Sequence, residues 1–320
     1  ICLYQGRTEL PINVQVFSLG KEILSDADSH GWRGGFTRIK YIFRFYKYIR
    51  NLRDDYGVVF VHMNPIYVVL GGLFWKLYRK RILLWYNHPM GNLTARLGVT
   101  LADKVFCTSP YSFSARYKKT SLMPVGVDTD FFRPMPEVSK NSKQILCLGR
   151  ISPIKKIEYL IEAAKILDGQ GLDFKVLVVG SPVSLEDKKY ELKLKEISAD
   201  LLSKGKIEFR PAVPNYETPG IYNVSGIFVN LTPTGSFDKT ILESMACGTP
   251  ILVSNKAVEA IIPKEYKNTV IFKEGDASDL ATKLISYLKV TNNEKIGQGG
   301  LMRDLVLEQH SLARLINKLI

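Results

Sequence analysis

Cysteine is scarce, with four residues in 320, at positions 2, 107, 147 and 247, and no Cys-x-x-Cys pair. That excludes a disulfide-stapled scaffold and a zinc ribbon, and it fits a reducing compartment. Histidine is equally rare, and no His/Cys/carboxylate cluster has metal-ligand spacing. No pair of carboxylates is arranged as in a glycosidase. Internal repeats and low-complexity tracts are missing as well. The longest uncharged run, 57–75, approaches the roughly 20 apolar residues of a membrane span. However, it contains His62, Asn64, Pro65 and Gly71–Gly72, so it reads as a short strand, a turn and a helix. Acidic residues are in deficit, 31 against 44 Lys+Arg, for a net charge of +13. The deficit is concentrated early: residues 1–137 hold 19 Lys+Arg against 10 Asp+Glu, residues 138–320 hold 25 against 21. A basic first half suits anionic partners such as nucleic acid, acidic lipid headgroups or phosphorylated substrates.

What is present is a regular alternation. Short β-branched runs at 1–4, 14–17, 58–61, 82–86, 104–107 and 121–123 continue with 144–148, 175–179, 207–209, 226–230, 251–253 and 269–272. Segments with 3–4 apolar spacing lie between many of them: 37–53, 66–78, 157–168, 187–202, 239–247 and 277–288. Nearly continuous apolar strands separated by helices imply parallel sheets covered on both faces, the doubly wound α/β class. The segment 131–142 (FFRPMPEVSKNS) has two prolines and no periodicity, and the pattern restarts after it. We therefore expect an N-terminal Rossmann-like domain over 1–136, a second over 137–301, and a terminal helix over 302–320. The chain begins at Ile1, in mid-strand and without methionine, so the first strand and helix of the first domain are expected to be missing. Two such domains would face a cleft at the carboxyl ends of their strands, where ligands bind.

Two segments carry chemistry. After the strand at 145–148 comes GRISPIKKIEYLIEAAKIL, in which Gly149–Arg150 ends the strand and a helix starts near Ile157. Arg150, Lys155 and Lys156 lie between. Free N–H groups and the positive dipole end of a helix, with cations beside them, suit a diphosphate. Arg150 would supply a bidentate fork and Lys155 a point charge; for any one of these lysines alone, a solvated loop is the simpler account. The second segment is GSFDKTILESMACGTPILVS, 235–254. Helix spacing puts Glu243 one turn from Lys239 among Ile241, Leu242, Met245 and Ala246. A carboxylate there needs a partner, either the Lys239 ammonium in a surface i,i+4 pair or a pair of ligand hydroxyls.

These segments together resemble the retaining nucleotide-sugar glycosyltransferases of family 4, also called group 1, which have the GT-B fold. PVGVDTDFF (124–132) is similar to their interdomain P-N-G-V-D-x-x-x-F signature, with Val125 in place of Asn. GRISPIKKIEYLIEA is similar to G-R-x-x-x-x-K-G-x-x-x-L-I-x-A. LVVGSP (177–182) and FRPAVPNYETPGIYNVSGIFVNLT (209–232) match the strands and loops that precede the signature helix.

The resemblance implies that Arg150 and Lys155 hold the donor diphosphate beside Gly149 and Gly180, and that Glu243 accepts hydrogen bonds from ribose hydroxyls. Amides near Thr240, Ile241 and Leu242 would support the distal phosphate at the helix start that Lys239 opens. Ala212 and Val213 would pack the base, and Ser236, Phe237 and Asp238 would face the transferred sugar. His88, at the end of the strand at 82–86, would contact that sugar; His62 is the competing strand-end histidine. Two departures stand out. Gly235 occupies the place of the first glutamate of E-x7-E, and Lys156 replaces the glycine after the phosphate lysine.

The resemblance further implies a metal-independent, retaining hexosyltransferase without a cofactor, using a nucleoside diphosphate-sugar donor. The acceptor would be a glycan or a lipid-linked molecule, in cell-surface polysaccharide synthesis. Alternatives are a donor-binding pseudoenzyme or scaffold, or another GT-B enzyme such as a sugar-nucleotide epimerase. A cytoplasmic location is expected, at the inner face of the plasma membrane where the basic residues of 37–53, 79–81 and 116–119 meet anionic lipid. No nucleic-acid motif accompanies the charge.

Overall fold

Strands built from unbroken aliphatic runs must be covered on both faces, and that is how these are used. The computed structural model describes residues 1–4, 13–21, 32–235 and 237–319, and its strands form three sheets in which every pairing with a defined register is parallel. Contacts divide the chain into two compact units. One comprises 1–86, 90–106 and 117–120; the other comprises 87–89, 107–116 and 121–320.

In the first unit, β1 (Cys2–Tyr4) pairs with β2 (Ser18–Lys21). The sequence pattern put the second of these at 14–17, but the ladder closes one step later, after the Phe17 carbonyl has accepted from Cys2 N–H at 2.8 Å. Next come α1 (Trp32–Asn51), β3 (Val58–His62), α2 (Ile66–Leu77), β4 (Arg81–Trp85), α3 (Leu93–Leu101), β5 (Lys104–Cys107) and β6 (Thr120–Leu122). The last four strands form one sheet in the order β3-β4-β5-β6. No helix among the described residues is long and apolar enough to cross a membrane. Helix α3, absent from the periodicity reading, is started by Asn92, whose side chain accepts from Ala95 N–H at 2.9 Å. Its Gly98 lets α3 press on Pro65, since a Cβ there would lie 2.7 Å from the Pro65 Cβ.

The second unit holds a five-stranded sheet in the order β11-β10-β7-β8-β9. These strands are β7 (Asn141–Leu148), β8 (Lys175–Val179), β9 (Ile207–Arg210), β10 (Ser225–Asn230) and β11 (Ile251–Val253). Strand alternation sends Ile145, Cys147, Val176, Val178, Ile227 and Val229 into one apolar layer, with α4 (Glu158–Gly169), α5 (Leu185–Ile197) and α10 (Ala277–Lys289). Leu146, Leu177, Val179 and Phe228 face the other layer, with α7 (Thr218–Val224), α8 (Lys239–Ala246) and α11 (Asn292–Gln309). Each fully buried aliphatic side chain contributes about 1.5–3 kcal/mol. The two layers fix the strand ends, and with them every group of the candidate site below.

Three expectations change. The helix expected over 187–202 is two, α5 and α6 (Ala199–Ser203), separated at the buried Ser198, whose hydroxyl donates to Leu194 O at 2.8 Å. The run at 269–272 is not a strand: α9 (Lys264–Val270) covers its start, and only Ile271 bridges to Val253. Pro263 opens that helix, and the β-branched Thr269 and Val270 at its end mislead the periodicity. The terminal helix is likewise two, α11 and α12 (Leu312–Leu319). The break lies where the His310 carbonyl accepts from Gly126 and Val127 N–H at 3.1 and 2.9 Å and Leu312 N–H donates to Val127 O at 2.8 Å. Pairing with 126–127 replaces one turn of helix. Gly299 permits the preceding packing of α11 on α8, because a Cβ there would lie 2.1 Å from Gly248 O.

Candidate active site

The carboxyl end of β7 opens into the first cationic segment. Gly149 has φ +148°, and its N–H donates to Val179 O at 3.0 Å. Its carbonyl passes so close to Gly180 that a Cβ on Gly180 would lie 1.9 Å away. Gly180 is thus a steric requirement of this turn. Ile151 is buried and donates to Ser181 O at 3.2 Å. A 3₁₀ turn over Pro153–Lys155 follows, and Lys156 closes it in the left-handed region, at φ 48° and ψ 39°. The glycine that the family resemblance places there is therefore explained by backbone geometry. This chain accepts the strain and uses the side chain instead, with Lys156 Nζ 2.9 Å from Glu274 Oε1.

The second cation faces inward. Lys155 Nζ lies 2.5 Å from Asp238 Oδ2 and 3.2 Å from Thr232 Oγ1. Asp238 is the N-cap of α8. Its carboxylate accepts from Asn230 Nδ2 at 2.9 Å, Thr232 Oγ1 at 3.0 Å, Thr240 Oγ1 at 2.9 Å and Thr240 N–H at 3.3 Å. Burial alone would raise its pKa, but the Lys155 charge and these donors outweigh it and hold the carboxyl at about 2. Gly149, Arg150, Lys155, Asn230 and Thr232 line one small pocket between the ends of β7 and β10. Arg150 at its mouth is exposed. The two candidate phosphate cations are thus brought together. Asp238, expected to face a sugar, is turned onto Lys155.

On α8, Ile241 and Leu242 are fully buried and Lys239 is exposed. Glu243 is 8% exposed, and its Oε2 accepts from the buried Tyr222 hydroxyl at 3.2 Å. That decides against a solvated pair with Lys239. Burial raises the Glu243 pKa, while the Lys239 charge and the Tyr222 hydrogen bond pull it back. Ala212 is exposed and donates from its N–H to Ser181 Oγ at 2.9 Å, and Val213 packs against the layer that holds Leu177 and Phe228.

His88, three residues beyond β4, is exposed, and its carbonyl accepts from Phe113 N–H at 2.9 Å. The adjoining Pro89 ring meets the signature loop: a Cβ on Gly235 would be 3.3 Å from Pro89 Cγ. The Gly235 carbonyl accepts from the buried Ser109 hydroxyl at 2.7 Å. Phe237 sits with its ring 5.7 Å from that of His310. Burial lowers the His310 pKa to about 4, and its Nδ1 accepts from Val125 N–H at 3.2 Å. Ser236 lies outside the described residues. Sequence reasoning missed Ser109, Tyr222, Asn230, Thr232 and Glu274. Only N-x-T at 230–232, polar residues directly after a buried strand, carried any signal.

Among the described residues no group of three or more His, Cys, Asp or Glu side chains could hold a metal ion. A parallel five-stranded domain with a cationic turn at one strand end and a capped helix at its neighbour defines a class of doubly wound α/β protein whose strand ends suit an anion. Within that class, residues 128–299 match the family "Glycosyl transferases group 1", more than half of the chain, and the chain belongs to it. It is 25% identical over 154 residues to a D-inositol 3-phosphate glycosyltransferase of Acidothermus cellulolyticus, covering 44% of this chain and 34% of the relative. It is also 25% identical over 217 residues to a GDP-mannose-dependent alpha-(1-6)-phosphatidylinositol monomannoside mannosyltransferase of Mycolicibacterium smegmatis, covering 60% and 55%. The matched region thus spans about a third to a half of these curated relatives. The crystal structure of Anabaena Alr3699/HepE in complex with UDP superposes with a TM-score of 0.75 at 15% identity, covering 91% of this chain and 89% of that one. The fold is GT-B, two α/β Rossmann-like domains.

Proposed function

We propose that the protein is a retaining glycosyltransferase that moves a hexose-type sugar from a nucleoside diphosphate donor to a glycan or lipid-linked acceptor. One observation carries this reading: Arg150 and Lys155 line a single pocket at the carboxyl ends of β7 and β10, beside the N-terminus of α8. Its chemistry asks for charge stabilisation. In the transition state the sugar–phosphate bond lengthens and negative charge gathers on the departing diphosphate. Arg150 and Lys155 neutralise it, and removing one such group costs about 10²–10³-fold in rate. The acceptor hydroxyl oxygen bonds to the anomeric carbon on the face that the phosphate is leaving and passes its proton to the departing phosphate oxygen, so the anomeric configuration is retained. Glu243, held by Tyr222 and buried, accepts from the ribose hydroxyls; His88 and Gly235 lie at the sugar end. UDP in the Anabaena structure and GDP-mannose in the mycobacterial relative's name make uracil and guanine the first bases to try. Polysaccharide assembly at the cytoplasmic face of a membrane is the proposed setting. Ile39, Ile42 and Phe43 of α1 are 51, 38 and 72% exposed beside Lys40 and Lys47, an arrangement that supports contact with anionic lipid.

The test is titration calorimetry with UDP, GDP, ADP and dTDP. We expect one nucleotide to bind and the combined Arg150→Ala, Lys155→Ala variant to lose it. Absence of binding to all four, with the protein folded, would refute the assignment.

A further inference from the structure

We propose that Asp238 is an internal anion that occupies the diphosphate's donors between turnovers and thereby sets how fast the nucleotide leaves. The inference rests on the donor-site reading above and adds a regulator to it. The Asp238 carboxylate holds the Lys155 ammonium at 2.5 Å and the Thr240 N–H at 3.3 Å. These are the cation and the helix-start amide that a distal phosphate would use. Asn230, Thr232 and the Thr240 hydroxyl complete its shell, so the carboxylate is fully ionised and fully satisfied without a ligand. Side-chain exposures of 22% for Lys155 and 12% for Asp238 keep the pair largely out of water. A bound diphosphate must therefore share Lys155 with a carboxylate that stays in place, because the same carboxylate caps α8. The result is weaker product binding and an ammonium already aimed at the pocket. Asp238 is in this sense a positioning residue that acts through Lys155.

An isosteric change separates the charge from the cap, since asparagine and serine cap helices as well as aspartate does. Asp238→Asn and Asp238→Ser should each bind the preferred nucleotide of the UDP, GDP, ADP and dTDP panel about tenfold more tightly than wild type, through a slower off-rate. Affinity for the corresponding uncharged nucleoside should not change, a contrast that mere disturbance of the helix would not produce. Asp238→Glu keeps the charge and should show no tightening. In the wild type, the Asp238 carboxyl 13C resonance should move when the same nucleotide saturates the site, as the ion pair is redistributed. Equal or weaker diphosphate binding by both folded variants would overturn the inference and leave the donor-site reading standing, as would an unmoved resonance at saturation. If folded wild type binds none of the four nucleotides, the donor-site reading falls and this inference with it.

Discussion

Adding one methyl group at Gly180 tests whether the phosphate turn is built as described. The Cβ of Gly180→Ala would lie 1.9 Å from Gly149 O and 3.0 Å from Gly149 C. Contacts under 3.0 Å essentially do not occur for real Cβ atoms, so the carbonyl must retreat by more than an ångström. It is not free to do so. Gly149 N–H is bound to Val179 O, and two residues later Ile151 N–H is bound to Ser181 O, at 3.0 and 3.2 Å. Overpacking costs about 1–3 kcal/mol, and weakening two backbone hydrogen bonds adds roughly 1 kcal/mol each. We expect a loss of about 3–5 kcal/mol. At about 2–4 °C per kcal/mol for a unit of roughly 150–250 residues, the melting temperature should fall by around 6–20 °C. Gly171→Ala is the control, because that glycine has φ +69° and nothing within 4 Å of the added Cβ, so only backbone strain of about 1–2 kcal/mol applies. Differential scanning calorimetry of both variants, with nucleotide titration of Gly180→Ala below its transition, supplies the readout. Moving Arg150 and Lys155 by about 1 Å should weaken function by about 10²-fold, even at temperatures where the variant is folded. A Gly180→Ala protein that melts with wild type, or no lower than Gly171→Ala, would refute the geometry.

Lys156→Gly should gain up to about 1 kcal/mol in urea denaturation, since relief of left-handed strain exceeds a partly exposed ion pair with Glu274. Lys156→Ala keeps the strain and loses the pair, so it should be less stable than both wild type and the glycine variant; the reverse order would contradict the φ of 48°. Phe43→Glu should reduce co-sedimentation with vesicles containing phosphatidylserine several-fold while leaving nucleotide binding unchanged. Equal sedimentation would remove α1 from the proposed membrane face.

Most of the second unit was legible because its strands are uninterrupted aliphatic runs and helices such as α4 and α8 are followed by left-handed glycines, Gly171 and Gly248. Short helices built from poor helix formers were not. In α7 a proline and a glycine fill the first turn, and the burial of Tyr222, not propensity, holds it together. Glu243 was visible as a carboxylate among apolar residues, yet its partner was not, since Tyr222 lies 21 residues away. Asp238 shows the same limit. The family resemblance implies a place for it beside a sugar, but its pairing with Lys155, 83 residues distant, follows from β7 and β10 being neighbours in the sheet. Adjacency of strands decides which loops meet, and no local pattern encodes it.

The departures from the family pattern then stop looking independent. Lys156, standing where a glycine is expected, reaches Glu274, and Glu274 Oε2 accepts from Thr234 N–H at 3.3 Å. Asp238, three residues beyond Gly235, reaches Lys155. The loop from Thr232 to Thr240 is thus tied at both ends to the turn that follows β7, once through each of two adjacent lysines. Between the ties Gly235 is pinned by Ser109 through its carbonyl and has Pro89 against the place a side chain would take. A site losing its function by drift would accumulate buried polar groups without partners. Among the described residues only Ser152 Oγ is one. Glycine for glutamate and lysine for glycine are therefore parts of one rebuilt arrangement, in which the loop is positioned by ion pairs where the family pattern has a carboxylate and a flexible turn. On the proposed reading, such a loop would meet a donor sugar with its shape and main-chain groups where the family pattern has a carboxylate.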